Sequence, residues 1–276
     1  MKKSGTHKLK GDFPLRKRRE IARAVLEGLH GFQYCWPERA KIYVALDSLV
    51  VSNEASLVML RGLPGVGITS ILEAFASKHR KQVILVRPRI YGERINLVSQ
   101  ILHSVFPFSE FRGYKRVPDS LVQLRQGART IIIIDDLDII SNQNNMYEVI
   151  FDQIVQLRRH PGDFTIVMST RDKKLLRDFT AIKHIPTRLI PVAGLIPATT
   201  VRFVIQGFFD WCNRQYGTNV QPLGMAECGA RDTDLPIDYI VFACETFYCS
   251  ELLKLSQNFF GSVSELRHVA EDRAFD

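Results

Sequence analysis

Short apolar runs alternate with longer segments of helical periodicity along most of the chain. The apolar runs predict buried strands at residues 57–61, 82–87, 130–135 and 164–169. Between them, apolar residues recur every three or four positions, for example over residues 93–106. Strands that alternate with helices favour the α/β class, with a parallel sheet flanked by helices.

The two ends of the chain have a different pattern. Residues 20–55 are predicted to be mainly helical, with an interruption near Trp36 and Pro37. Ile185–Pro191 is predicted to be an edge strand because it contains prolines, which cannot donate to a ladder. From residue 197 onward the periodicity is helical, with helices expected at 198–216, 236–248, 250–258 and 262–272. We therefore expect a flexible arm (1–19), an α/β nucleotide-binding domain (20–196) and a helical lid domain (197–276).

A glycine-rich segment follows the first predicted strand. It fits the phosphate-loop pattern G-x-x-x-x-G-K-[ST], but Ile68 stands where the lysine belongs. Backbone N–H groups and a helix N-terminus bind phosphate without that lysine, which adds a charge near the β- and γ-phosphates. The pattern predicts that this loop binds ATP more weakly than a loop with the lysine does, and that hydrolysis of the ATP is doubtful. The residues predicted to bind the nucleotide are Gly62, Pro64, Gly65, Val66, Gly67, Ile68, Thr69 and Ser70. The alternative is a glycine turn without a ligand.

Acidic residues end the isoleucine-rich strand at 130–135, in the arrangement of a Walker B motif. Asp135 is predicted to hold Mg²⁺ together with Thr69. Asp136 occupies the place of a water-activating carboxylate, and it is one methylene shorter than the commoner glutamate. A phosphate loop and a Walker B strand in this order predict a P-loop NTPase fold, AAA+-like in its small helical second domain.

Positive charge is concentrated near the beginning of the chain. The net charge is +8, and residues 1–23 hold nine Lys/Arg and two acidic residues. Such an arm suggests contact with a polyanion, and the alternative is a solvated tail. A second basic stretch, residues 87–129, has interleaved aromatics and suggests phosphate-backbone contacts. The alternative there is a solvated helix face over core aromatics.

Composition narrows the setting of the protein. No apolar run approaches the ~18–20 residues that span a bilayer, and no apolar segment follows the basic N-terminus. The five cysteines form no CxxC pair. These features predict a cytoplasmic protein with free thiols and no membrane partner.

The order of these motifs resembles the TniB/TnsC-type AAA+ proteins of DNA transposition, which are related more distantly to MuB and IstB. Residues 86–94 look like that family's second strand and following loop. Residues 111–119 are placed like its DNA-facing loop, and residues 260–267 are similar to a helix start in its lid. The resemblance covers roughly residues 20–272.

The resemblance implies an ATP-dependent homo-oligomer, a hexamer or a filament, that binds duplex DNA and recruits a transposase or targeting subunit. It implies that Ser169 is the sensor 1 residue, although a plain strand-end turn is the alternative. Arg188 is placed like the arginine that reaches a neighbour's nucleotide, and Arg177 competes for that role. The implied DNA contacts are Arg89, Arg94, Arg112, Lys115 and Arg116.

Several positions depart from the family pattern. Ile68 replaces the lysine, Asp136 replaces glutamate, and no arginine stands at the expected sensor 2 position. These departures indicate a slow or inactive ATPase, so the sequence leaves open whether the protein is an enzyme. Two other interpretations remain: a STAND-type signalling NTPase, and a pseudo-NTPase that acts as a protein-interaction scaffold.

Overall fold

The computed structural model describes residues 13–28, 31–52, 56–63, 65–89, 96–107, 117–124, 131–138, 144–159, 164–171, 173–181, 187–222 and 234–253. The chain divides into two compact units. One is Pro37–Gly194, and the other combines Met1–Trp36 with Leu195–Asp276.

The first unit is built on a parallel sheet with the strand order β2-β3-β4-β1-β5. Its strands are β1 (Leu57–Arg61), β2 (Val83–Val86), β3 (Ile131–Ile134), β4 (Thr165–Ser169) and β5 (Thr187–Pro191). All residues of β3 and β4 are buried, which is why these strands read as continuous apolar runs instead of alternating ones. The predicted parallel α/β sheet is confirmed, and β5 lies at its edge.

The same unit contains several described helices. They are α2 (Pro37–Val51), α3 (Ile68–Lys78), α4 (Leu97–Val105), α5 (Asp119–Gln123), α6 (Asn144–Arg158) and α7 (Lys173–Thr180). The first turn of α4 is capped because the Asn96 side chain accepts a hydrogen bond from the Ser99 N–H at 2.8 Å. The buried Gln153 side chain on α6 accepts another from the Leu97 N–H at 2.8 Å. These bonds fix α4 next to α6 over the sheet.

The second unit is mainly helical. It contains α1 (Leu15–Leu26), α8 (Ala198–Tyr216), α9 (Ile237–Leu253) and a short antiparallel pair, β6 (Leu195–Ile196) with β7 (Leu235–Pro236). Helix α1 packs along α9, where the Cys249 thiol donates to the Ala22 carbonyl at 3.5 Å. Tyr34 stacks on Phe208 with ring centroids 5.6 Å apart, within a buried aromatic cluster.

Three features of this unit differ from the sequence prediction. Helix α1 begins at Leu15, directly after Pro14, and therefore inside the predicted flexible arm. Residues before Pro37 belong to the same compact unit as the C-terminal helices, whereas the sequence prediction places residues 20–36 in the nucleotide-binding domain. The assignment of residues 20–196 to one functional domain stays a prediction. Helix α9 runs unbroken to Leu253 because no glycine or proline interrupts residues 245–253. The helix expected at 262–272 lies outside the described residues.

Within the described ranges, no helix has both the length and the apolar character that a membrane crossing requires.

The stability of the first unit should depend on its central strands. Ile132 on β3 is fully buried, so Ile132→Ala should destabilise the protein by about 2–5 kcal/mol through lost burial and a residual cavity. Val44→Ala, at an exposed position on α2, should change stability by less than about 0.5 kcal/mol. Urea unfolding followed by circular dichroism measures both. Equal effects of the two substitutions would contradict this packing.

Candidate phosphate-binding site

The carboxyl ends of β1, β3 and β4 border a cavity of about 350 Å³. Gly62, Leu63 and residues 65–69 line one wall, and residues 135, 136, 138 and 169–171 line the rest. The structure thus brings the predicted glycine loop together with the predicted magnesium ligand and the predicted sensor residue. Ser70 is exposed on α3 and does not line this cavity, and Pro64 lies outside the described residues.

Glycine is required at three points of the loop. Gly65 and Gly67 have φ angles of 81° and 76°, in the left-handed region that favours glycine. At Gly62 an added Cβ would lie 2.6 Å from Cγ2 of Val66, so a side chain there would collide with the loop itself. These three glycines therefore allow the backbone conformation that is expected of a phosphate loop.

Ile68 is the first residue of α3 and lines the cavity. Its Cδ1 atom lies 3.2 Å from the point that a Cβ on Gly62 would occupy. The side chain thus lies against the beginning of the loop and offers an apolar contact at the position of the Walker lysine. Any positive charge near this loop must come from another part of the chain.

Arg39 supplies such a charge from behind the loop. It extends from α2, is only 4% exposed, and donates hydrogen bonds to the carbonyls of Val66 at 3.4 Å and Gly67 at 3.2 Å. No motif of the sequence indicated this residue. Arg39 shares the buried stripe of α2 with Ile42, Leu46 and Leu49, but apolar residues on the exposed side of the same helix, Val44 and Val51, obscure that stripe in the sequence.

The Walker B carboxylate Asp135 is almost completely buried, at 1% exposure. The Ser169 hydroxyl donates to its Oδ1 at 2.6 Å and accepts the Asp136 N–H at 2.7 Å. The Nε atom of Arg87 lies 3.6 Å from its Oδ2, and the Arg87 guanidinium also pairs with Glu73. One hydroxyl and one cation thus stabilise the buried charge in this structure.

Asp136 adopts a left-handed backbone with φ 59°, which aspartate tolerates better than most residues. This turn directs its N–H to Ser169 and leaves its side chain 59% exposed. Asp136 lines the cavity, but its carboxylate is open to solvent. Its predicted role in activating water stays a prediction.

A second arginine lines the cavity opposite the loop. Asp138 accepts hydrogen bonds from the Arg171 N–H and Nε, both at 2.7 Å, and from the Thr170 hydroxyl at 2.8 Å. Burial alone would raise the pKa of the Asp138 carboxyl, but these hydrogen bonds together hold that pKa below its usual value. No motif of the sequence singled out Arg171, although a basic residue directly after the strand-end Ser169-Thr170 pair could have indicated it.

The residues present fit a magnesium ion. Mg²⁺ prefers oxygen ligands and commonly keeps several waters beside one or two protein ligands and substrate phosphates. The Thr69 hydroxyl and the Asp135 carboxylate belong to two elements that line the same cavity. Oδ2 of Asp135 faces a half-exposed arginine, so a cation is already accommodated beside this carboxylate.

The other predicted residues lie away from this cavity or outside the described ranges. Arg188 is exposed on β5, opposite Val58 in the register, and Arg177 is exposed on α7 with an ion pair to Asp178 at 3.0 Å. Arg89 is exposed, and its backbone N–H and C=O both bond to the Gln100 side chain at 2.7 Å. Outside the described residues lie Arg94, Arg112, Lys115 and Arg116. The roles of all these residues stay predictions.

No family model matches the chain, and no curated protein sequence matches it. Among solved structures, the Orc1 protein of Aeropyrum pernix in complex with DNA matches with a TM-score of 0.52 and 16% identity, over 90% of this chain and 69% of that one. Drosophila ORC bound to DNA matches with a TM-score of 0.46 and 17% identity, over 91% and 63% of the respective chains. Cdc6p of Pyrobaculum aerophilum matches with a TM-score of 0.43 and 16% identity, over 64% of this chain and 50% of that one.

The likeness to Orc1 concerns the fold. Together with the five-stranded parallel sheet, it shows an α/β P-loop NTPase fold. The chain spans between half and about two-thirds of the length of these three structures.

The loop geometry yields a direct test. Gly67→Ala should destabilise the protein by about 1–2 kcal/mol, because alanine is disfavoured at positive φ. The substitution also places a Cβ 2.8 Å from Nη2 of Arg39, so it should disturb the loop itself. Thermal unfolding monitored by circular dichroism measures the change.

Gly207→Ala is the matched control. Gly207 lies inside α8, and a Cβ there would meet Phe32 at an ordinary 3.8 Å. This substitution should leave stability unchanged or raise it by about 0.5–1 kcal/mol. A Gly67→Ala protein as stable as the Gly207→Ala protein would show that the loop does not need its left-handed glycine.

Proposed function

We propose that this protein is an ATP-binding, oligomeric DNA-binding regulator of transposition, with slow or absent ATP hydrolysis. One observation carries the nucleotide part: a glycine loop with two left-handed glycines faces a buried carboxylate and a hydroxyl across one cavity. That arrangement provides backbone donors for phosphates and oxygen ligands for a cation.

The chain's own groups divide the work of binding. Backbone N–H groups of the loop and the N-terminus of α3 hold the phosphates of ATP. Thr69 and Asp135 hold Mg²⁺, which when bound neutralises charge on the β- and γ-phosphates. The Ser169 hydroxyl orients Asp135, since it donates to that carboxylate at 2.6 Å.

Two features support slow or absent hydrolysis. Ile68 brings no charge to the phosphates, and lysine at that position normally stabilises charge that develops during transfer. The Asp136 carboxylate is more than half exposed and its ion pair with the Arg171 guanidinium is long, at 3.9 Å, which is a weak restraint on a carboxylate that must position a water molecule. Nucleotide would then act mainly as a structural ligand that orders an oligomer.

The DNA-binding part is supported by charge and by comparison. The first 23 residues hold nine Lys/Arg against two acidic residues, and Arg89 is exposed next to the buried Pro88. The Orc1 structure with the same fold is a complex with DNA. Phosphate contacts by Arg89, Arg94, Arg112, Lys115 and Arg116 would give sequence-independent binding to duplex DNA.

The transposition part is supported by the resemblance to TniB/TnsC-type proteins. That resemblance also motivates a transposase or targeting subunit as protein partner, and a hexamer or filament as the assembly. In such an assembly Arg188 or Arg177 would reach the nucleotide of a neighbouring copy. Both arginines are exposed, as an intersubunit contact requires.

The first experiment measures nucleotide binding and turnover by the protein and by Ile68→Lys. We expect the native protein to bind Mg-ATP and to hydrolyse little of it. Ile68→Lys should bind more tightly by about tenfold or more, since it adds a charge-assisted hydrogen bond to phosphate. Asp135→Asn, which removes a magnesium ligand, should weaken binding with Mg²⁺ and have little effect when EDTA is present. Calorimetry and phosphate release are the measurements.

Absence of nucleotide binding by both the native protein and Ile68→Lys would refute the nucleotide part. Binding of a transposase or targeting subunit under those conditions would instead favour the pseudo-NTPase scaffold.

Fluorescence anisotropy with random duplex DNA tests the second part. Binding should weaken steeply with salt, because phosphate contacts release counterions. Arg89→Ala should weaken binding uniformly across sequences and reduce the salt slope by about 1. Arg80→Ala, at an exposed arginine of the α3 end, is the charge-matched control and should change the slope less.

The DNA part fails if no binding occurs at low salt with or without nucleotide. Light scattering that shows a monomer in every nucleotide state, together with that failure, would favour the STAND-type interpretation.

A further inference from the structure

We propose that Arg39 takes over, from behind the loop, part of the role of the missing Walker lysine. It is a positioning residue: it would act on bound phosphates through the loop backbone and through its charge. This inference depends on the nucleotide binding proposed above.

The placement of Arg39 is unusual for a charged residue. It lies on the buried stripe of α2 with 4% exposure, where burial of a charge is unfavourable unless hydrogen bonds compensate. Two of its nitrogens meet carbonyls of the glycine loop, those of Val66 and Gly67. A side chain that served only to fill space on this stripe would be apolar, as Ile42 and Leu46 are.

The two carbonyls belong to the peptide groups that carry the Gly67 and Ile68 N–H groups. In a planar trans peptide the C=O and the N–H point in opposite directions. Arg39 therefore holds these two peptides with their N–H groups turned away from the guanidinium. Both Gly67 and Ile68 line the cavity, so these N–H groups belong to the part of the loop and helix start that would hold a phosphate.

The guanidinium also strengthens those donors. A cation that donates a hydrogen bond to the carbonyl oxygen of a peptide group polarises that group, so that its N–H becomes a better hydrogen-bond donor. Gly67 has no side chain that could separate the guanidinium from the loop backbone. A Cβ at this position would lie only 2.8 Å from Nη2 of Arg39. The positive charge is thus separated from the phosphate side of the loop by the thickness of the backbone.

Burial distinguishes Arg39 from Arg171, which lines the cavity directly. The Arg171 side chain is 49% exposed, so water screens its charge. Arg39 is shielded from water, where an electrostatic interaction falls off less. Its position behind the loop explains how a phosphate loop with Ile68 retains a positive charge.

The test compares ligands that differ only in phosphates. Calorimetry or fluorescence measures binding of ATP, ADP and adenosine to the native protein, Arg39→Met and Arg39→Lys. Arg39→Met should weaken ATP and ADP binding by about tenfold or more and leave adenosine binding unchanged. Arg39→Lys, which retains the charge, should recover part of that loss. Arg80→Met is the control for loss of an exposed arginine and should bind ATP like the native protein.

A second comparison uses the Ile68→Lys background. If the two cations serve the same phosphates, Ile68→Lys should improve ATP binding by a larger factor in Arg39→Met than in the native protein. Equal factors would mean that the two positions act independently. That result would overturn the inference that Arg39 takes over part of the role of the missing lysine.

The remaining outcomes are equally decisive. Folded Arg39→Met that binds ATP as the native protein does, or loses ATP and adenosine binding equally, overturns the inference. If Arg39→Met does not fold, Arg39→Gln is measured in its place by the same criterion. Failure of both neutral variants to fold would make Arg39 a structural residue and would also overturn the inference. A native protein that binds neither ATP nor ADP would instead show that the proposed nucleotide binding is wrong.

Discussion

Parallel pairing of β1, β3 and β4 is the constraint on which the rest of the site depends. In a parallel sheet all strands end at the same edge, so the loop after β1 and the acidic residues after β3 must lie close together. The register places Ile134 beside Met168 and Leu60 beside Ser169, which aligns the three strand ends. Burial of β3 and β4 on both faces makes a shift of this register costly, because polar strand ends would enter the core.

The cavity combines a backbone that fits phosphate with a side chain that does not add charge to it. The loop's shape comes from Gly65 and Gly67, and its support comes from Arg39. Neither feature needs a lysine at position 68. Isoleucine in place of the lysine therefore removes a charge from the cavity without requiring a different loop conformation.

Local pattern was sufficient wherever one segment determines its own structure. Strand β1 and helix α8 have the predicted bounds, because an apolar run and a helical period each reside within a single stretch of sequence. The gathering of the glycine loop, Asp135 and Ser169 also followed from the sequence, since parallel strands share an edge. By contrast, Arg39 reaches carbonyls 27 and 28 residues away, and Arg171 reaches a carboxylate 33 residues away. Such contacts depend on how elements pack, and periodicity carries no information on which charged side chain meets which backbone group.

The ion pair between Asp135 and Arg87 joins the proposed magnesium site to the segment that carries Arg89, a proposed DNA contact. Arg87 lies beside this buried carboxylate and also pairs with Glu73. A metal ion that displaced the Arg87 guanidinium from Asp135 would therefore leave that guanidinium its second partner, Glu73. Two residues on, Arg89 is exposed, while its backbone is held at both N–H and C=O by Gln100. Pro88 between them is buried. The segment that presents Arg89 to solvent thus contacts Asp135 at one end, through Arg87, and α4 at the other, through Gln100.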